Sequence, residues 1–127
     1  GILLDSDLIE ETVTYEMADG YAGMERLLAR RDDFTAVFVI SDAMAVAAMK
    51  ALHDRGKRIP EDCSVVAIDG IDMSAYMIPT LTTLVQPQQE MGESAVRILV
   101  DILEGKEGNQ HLLLETTPRL GGSVCYV

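Results

Sequence analysis

The sequence predicts an α/β fold: a doubly wound, mainly parallel sheet with flanking helices. Three observations carry this expectation. Two short continuous apolar runs, TAVFVI and SVVAI, have the length and β-branched content of strands covered on both faces. Around them lie stretches of ten or more residues whose apolar positions recur at helical spacing. Strands that alternate with helices of that length need right-handed crossovers, and such crossovers make neighbouring strands parallel.

The first helix is expected from Met17 to about Arg31, where Met17, Tyr21, Met24, Leu27 and Leu28 form one apolar face between charged residues. The polar break RDDF precedes the first strand, TAVFVI, which Ser41 and Asp42 interrupt. Asp42 reads as the N-cap of the segment AMAVAAMKALHDR, and Gly56 as its left-handed closing residue. Pro60 in KRIPEDC forbids helix continuation, and SVVAI follows as a second strand ending at Asp69 and Gly70. Residues 71–81 are irregular in pattern, and Thr82 to Val85 reads as a short strand. Pro87 sits where a first helical turn tolerates it. Met91, Ala95, Ile98 and Ile102 then mark the clearest helix, from Gln88 to Gly105. HLLLET is a last strand candidate, and the pattern of PRLGGSVCYV specifies no state.

At 127 residues the chain has the size of one folding unit, and no repeat or linker divides it. The formal net charge of -11 repels phosphate backbones and anionic headgroups, so no binding of nucleic acid by this polypeptide alone is expected. Its apolar runs are strand-sized, far below the roughly 20 residues that cross a bilayer. The opening GILLDSDLIEE has no basic segment before its short apolar run, does not read as a secretory signal, and leaves the cytoplasm as the expected compartment. Cys63 and Cys125 lack the paired spacing of zinc or redox sites and read as buried free thiols. His53 and His111 have no neighbouring ligand at metal spacing; no metal or other cofactor is expected. No phosphate loop occurs in GKEGN, and no nucleophile elbow ties a serine or cysteine to a histidine, so the chain does not read as an enzyme.

Ligands of open α/β sheets bind beyond the carboxyl ends of the strands, and here those positions are polar three times running. Ser41 and Asp42 follow the first strand, Asp69 the second and Gln86 the third. A hydroxyl, a carboxylate and an amide along one edge suit a neutral, hydroxyl-rich ligand. Asp42 is set aside as a helix cap. Asp69 beside Gly70 fits either a turn or a ligand contact, and Tyr15 either a stacking surface or a packing contact at the first helix.

The string from FTAVFVISDAMA through RIPEDCSVVAID and PTLTTLVQP to MGESAV closely resembles the effector-binding domain of the lactose and galactose repressor family, itself similar to periplasmic sugar-binding proteins. The likeness runs from about Gly1 to Leu114. It implies the C-terminal lobe, with crossover elements, of a type I periplasmic-binding-protein-like fold. The DNA-binding headpiece, the first lobe and an effector-clamping arginine would lie upstream of Gly1. The resemblance further implies that Ser41, Asp69 and Gln86 or Gln88 line an effector cleft and that Tyr15 stacks on a sugar. It also implies a homodimer in which Val46, Met49 and the loop with Tyr76 face the partner. Many relatives carry Asn at the Ser41 position and Asp or Asn at the Gly70 position, and the tail after Pro118 departs from the family pattern.

Such a lobe would sense a sugar and act on DNA only through the headpiece. A periplasmic sugar carrier for a transporter is the second reading. A magnesium-dependent phosphoryl-transfer or hydrolase domain using Asp42, Asp69 and Asp72 is a third, disfavoured because no lysine sits beside those acids. In the family the helix from Gln88 packs on the other lobe. Its apolar face with Met91, Ile98 and Ile102 is therefore expected to find cover through oligomerisation or domain swapping.

Overall fold

The computed structural model describes residues 5–106 and 111–126. The start of the resemblance at Gly1 and most of GKEGN lie outside those residues. Four strands form one sheet in the order β1 (Ala36–Val39), β2 (Ser64–Asp69), β3 (Thr82–Val85) and β4 (Thr117–Arg119). The first three are parallel, and β4 runs antiparallel to β3. Three α-helices, α1 (Met17–Arg30), α2 (Asp42–Asp54) and α3 (Gln88–Leu103), and two 3-10 turns complete the described elements. The expected α/β alternation with parallel neighbours is present from β1 through α2 to β2, while the connection from β2 to the parallel β3 holds a 3-10 turn and no α-helix.

α2 packs on β1 and β2, and α1 lies along α2. The core between them consists of Met24, Leu27 and Leu28 of α1, the alanine-rich face of α2 with Met44, Met49 and Leu52, and Val65 and Ala67 of β2. Small residues let the layers approach. A Cβ on Gly20 of α1 would stand 2.6 Å from the Met44 carbonyl oxygen, so the helix crossing itself requires glycine there. The segment before α1 is tied back onto it: the Arg30 guanidinium donates to the carbonyls of Asp7 and Ile9, and Glu10 pairs with Arg26 and Arg30.

Four features differ from the sequence expectation. First, β1 is an edge strand, and alternation leaves Phe38 and Ile40, on the face away from α2, more than half exposed. Second, HLLLET contains no strand, although its pattern favours one; β4 forms just after it, around Pro118, because an outermost strand tolerates a residue without an N–H. Third, Pro87 is the N-cap of α3 instead of a residue in its first turn. Fourth, Cys125 is exposed, whereas Cys63 is buried as expected and its thiol is pushed up to about 11 by desolvation.

The tail, which pattern left open, completes the sheet. Beyond β4, Ser123 is fully buried at the start of β2. Its carbonyl accepts from Val65 N at 2.8 Å, and its Oγ donates to Val65 O at 2.6 Å and accepts from Thr82 N at 2.8 Å. Replacing Ser123 with Ala leaves the Thr82 N–H and one Val65 lone pair unpaired in the interior. Urea unfolding is expected to show a loss of about 1–3 kcal/mol. A thiol reagent at pH 8 is expected to label Cys125 in the native protein and Cys63 only after unfolding, because Cys63 is both buried and held in its protonated form.

Candidate functional site

Strand register places the polar edge. Asp69 ends β2 opposite Val85, and Val39 lies opposite Ala67. Continuing the β1 register brings Ser41 level with Asp69, and Gln86 follows β3 directly. Ser41, Asp69 and Gln86 thus stand at the carboxyl ends of three adjacent parallel strands, the region where open α/β sheets present groups to ligands.

Asp69 and Gln86 are in direct contact. Gln86 Nε2 donates to Asp69 Oδ1 at 3.2 Å, and the Gln86 backbone N–H donates to the Asp69 carbonyl at 3.1 Å. The Asp42 backbone N–H donates to Asp69 Oδ2 at 3.2 Å. Each Asp69 oxygen therefore has one protein donor, and a carboxylate offers roughly four acceptor positions, so both oxygens keep capacity for an incoming hydroxyl. Both side chains are half-buried, neither sealed in nor fully solvated.

The turn beyond β2 is conformationally demanding. Asp69 has φ 135°, in the half of backbone space that L side chains rarely enter, and Gly70 follows at φ 77°. A Cβ on Gly70 would lie 2.7 Å from Val85 Cα, against backbone that cannot swing aside. Gly70 is thus required by close approach as well as by dihedral angle.

The structure corrects the assignment of the α2 cap. Ser41, with extended dihedrals, is the N-cap, and its Oγ accepts from Met44 N at 3.3 Å. Asp42 is the first helical residue and fully buried. Its Oδ2 accepts from the N–H groups of Gly70 and Ile71, each at 3.0 Å, and its Oδ1 accepts from Thr83 Oγ1 at 2.5 Å. Ser and Asp are comparable caps in sequence, so local pattern could not choose between them. The donors that decide the matter come from β3 and the turn after β2, far along the chain. Ser41 is itself buried, and with Met44 N on its oxygen it keeps a hydroxyl proton to offer.

The remaining expected site residues are dispersed. Gln88 is exposed at the start of α3, two residues beyond Gln86. Tyr15 is 69% exposed and borders a depression of about 460 Å³ beside the open edge of β1, together with Val13, Met24, Phe38 and Ile40. Ser41, Asp69 and Gln86 do not line that depression. Of the residues expected to face a partner, Tyr76 is largely exposed and Val46 half-buried, whereas Met49 belongs to the core. Val46 and Met49 border a second depression with Met77, Ile78 and Pro79. Arg119 escaped sequence reasoning because β4 was not recognised. Its guanidinium donates to the Ile71 carbonyl at 2.9 Å and to Ser74 Oγ. Among the described residues no group of three or more His, Cys, Asp and Glu side chains is arranged as a metal site, and the Asp42 carboxylate is already occupied by three donors.

Residues 5–124 match the family described as periplasmic binding protein-like domain. The chain belongs to that family. The HTH-type transcriptional regulator MalR of Clostridium butyricum is 39% identical over 102 residues, which cover 80% of this chain and 30% of the relative. The HTH-type transcriptional repressor PurR of Mannheimia succiniciproducens is 38% identical, over 84% of this chain and 32% of the relative. The chain thus spans about a third of the length of these curated relatives, which are regulators and not enzymes. Among solved structures, a complex of the transcriptional regulator CelR with cellobiose superposes with a TM-score of 0.90 at 34% identity, over 96% of this chain and 37% of that one. A sugar-binding regulator of the LacI family from Escherichia coli, complexed with phosphate, gives 0.83 at 32% identity, over 97% and 44%. The periplasmic binding protein-like fold and the likeness to lactose-repressor-type regulators, both expected from sequence, are therefore established.

Gly70→Ala adds a clash to an already unfavourable φ. Denaturant titration is expected to show a loss of about 2 kcal/mol or more.

Proposed function

We propose that this chain is the effector-sensing lobe of a DNA-binding transcription regulator. It is the C-terminal portion of an effector domain whose other lobe and headpiece lie elsewhere in the full-length protein. The observation that carries this reading is the Asp69 and Gln86 pair, level with Ser41, at the ends of three parallel strands. Its unfilled acceptor positions suit the hydroxyls of a sugar, which would sit between this edge and the second lobe, with Gln88 and Tyr15 closing on it from α3 and from the segment before α1. The cellobiose held by CelR supports this choice of ligand class.

Regulation then follows from differential affinity. A ligand that binds the closed arrangement of lobes better than the open one shifts the population toward closure. Closure changes the geometry of a homodimer built on the surface with Val46, Met49 and Tyr76, and the headpieces report that change as altered operator affinity. Such a regulator works in the cytoplasm, and no helix among the described residues is long and apolar enough to cross a membrane.

Calorimetric titration of the full-length protein with cellobiose, lactose and related sugars tests the site. At least one sugar is expected to bind, and Asp69→Ala is expected to weaken it by about tenfold or more, since removing a group that accepts ligand hydroxyls forfeits one or two hydrogen bonds. Unchanged affinity would remove Asp69 from the site. Ser94 alone is buried on α3, while Met91, Val96, Leu99, Ile102 and Leu103 are exposed and Ile98 half-buried. Light scattering on the isolated chain is expected to show association through this face, and a monodisperse monomer would contradict it.

A further inference from the structure

Asp42 is sealed from solvent and offers a ligand nothing, yet it organises the residue that would. Its carboxylate receives the two amides that immediately follow Asp69, and the Asp69 carboxylate receives the Asp42 amide in return. The two residues thereby close a ring that joins the start of α2 to the end of β2. Within that ring Asp69 sits at φ 135°, a conformation that persists only where surrounding contacts overdetermine it. Gln86 N holds the Asp69 carbonyl from the end of β3, and the residues that follow are held by the Asp42 bonds to Gly70 N and Ile71 N. Thr83 Oγ1, donating at 2.5 Å to the other Asp42 oxygen, fixes the carboxylate from the β3 side. Arg119 completes the grip by donating to the carbonyl of the same Ile71 whose N–H Asp42 holds.

We propose that Asp42, backed by Thr83, is a positioning residue for effector binding: it holds the turn from Asp69 to Ile71 so that the free acceptor positions of Asp69 face the ligand. This rests on the reading of Asp69 as a sugar-binding group. A carboxylate already oriented before the ligand arrives loses little freedom on binding, which is where such a residue contributes to affinity. Helix capping alone does not account for the arrangement, because Ser41 supplies the cap and two of the three donors to Asp42 belong to the turn.

The test compares Asp42→Ala, Asp42→Asn, Thr83→Val and Thr83→Ser in the full-length protein, with cellobiose and lactose as probes. Two readouts are taken on folded protein: affinity, and hydrogen exchange of the Gly70 and Ile71 amides without ligand. Asp42→Ala is expected to weaken binding about tenfold and to speed exchange at those two amides by a similar factor, each reflecting lost hydrogen bonds. Thr83→Val is expected to do the same to a lesser degree. Asn at position 42 still presents an oxygen to both amides, and Ser at 83 still donates, so both conservative variants are expected to restore affinity and protection. A purely structural role would lower unfolding stability while leaving both readouts of the folded protein unchanged, and that result overturns the proposal. Should Asp42→Ala fail to fold, the pair of Thr83 variants decides by the same criteria. Wild-type protein that takes neither sugar overturns the site and the positioning role together. A wild type that binds, is weakened by Asp69→Ala and is indifferent to the Asp42 and Thr83 variants overturns the positioning role alone.

Discussion

The structure depends on strand β2, whose backbone groups must be paired along both edges. β1 satisfies one edge through parallel pairing from Ser64 to Ala67, and β3 satisfies the other from Val66 onward. That leaves Val65 unpaired on the β3 side. Ser123 fills this position with its backbone and its hydroxyl, substituting for one rung of a strand. Buried peptide groups without partners are costly, and Ser123 holds the tail here together with Gly121 N on Thr82 Oγ1 and Cys125 N on Ser64 Oγ. At the opposite end of β2 a comparable demand is met by Asp42 and Gln86. The core and the candidate site are therefore two solutions to one problem, the completion of a central parallel strand.

What the sequence made legible follows from the range of the interactions involved. The runs around Val37 and Val65 and the alanine-rich α2 declare themselves because burial on this scale imposes a local pattern. Gly56 and Gly105 mark helix ends by a local dihedral requirement, with φ values of 75° and 70°. The polar edge was legible too, since strand ends can be counted off and the register then brings Ser41 level with Asp69, with Gln86 one residue past Val85, the partner of Asp69. What could not be read were choices decided at long range. Ser41 and Asp42 compete as caps on equal local terms, and the outcome rests on amides and a hydroxyl contributed by the turn after β2 and by β3. β4 contains a proline and is three residues long, so its identity comes from pairing with β3 and not from propensity.

Two surfaces are left uncovered. Among the described residues the outer edge of β1 has no paired neighbour, and Phe38 and Ile40 beside it are more than half exposed. No other helix or strand packs along α3 among the described residues, and its apolar side chains face outward. Both observations accord with a chain that corresponds to about a third of its relatives' length. Apolar surface of this kind favours association.

The dihedral angle at Asp69 also bears on how such a site can diversify. Position 69 is demanding, because φ 135° lies beyond even the left-handed region that asparagine and aspartate enter, so the surrounding contacts must hold any side chain there. Gly70 is pinned by Val85 in the same way. On the proposed reading of this rim, variation in ligand preference falls on Gln86, whose backbone carries no such constraint. The middle of the rim is thus the part whose backbone geometry restricts substitution most.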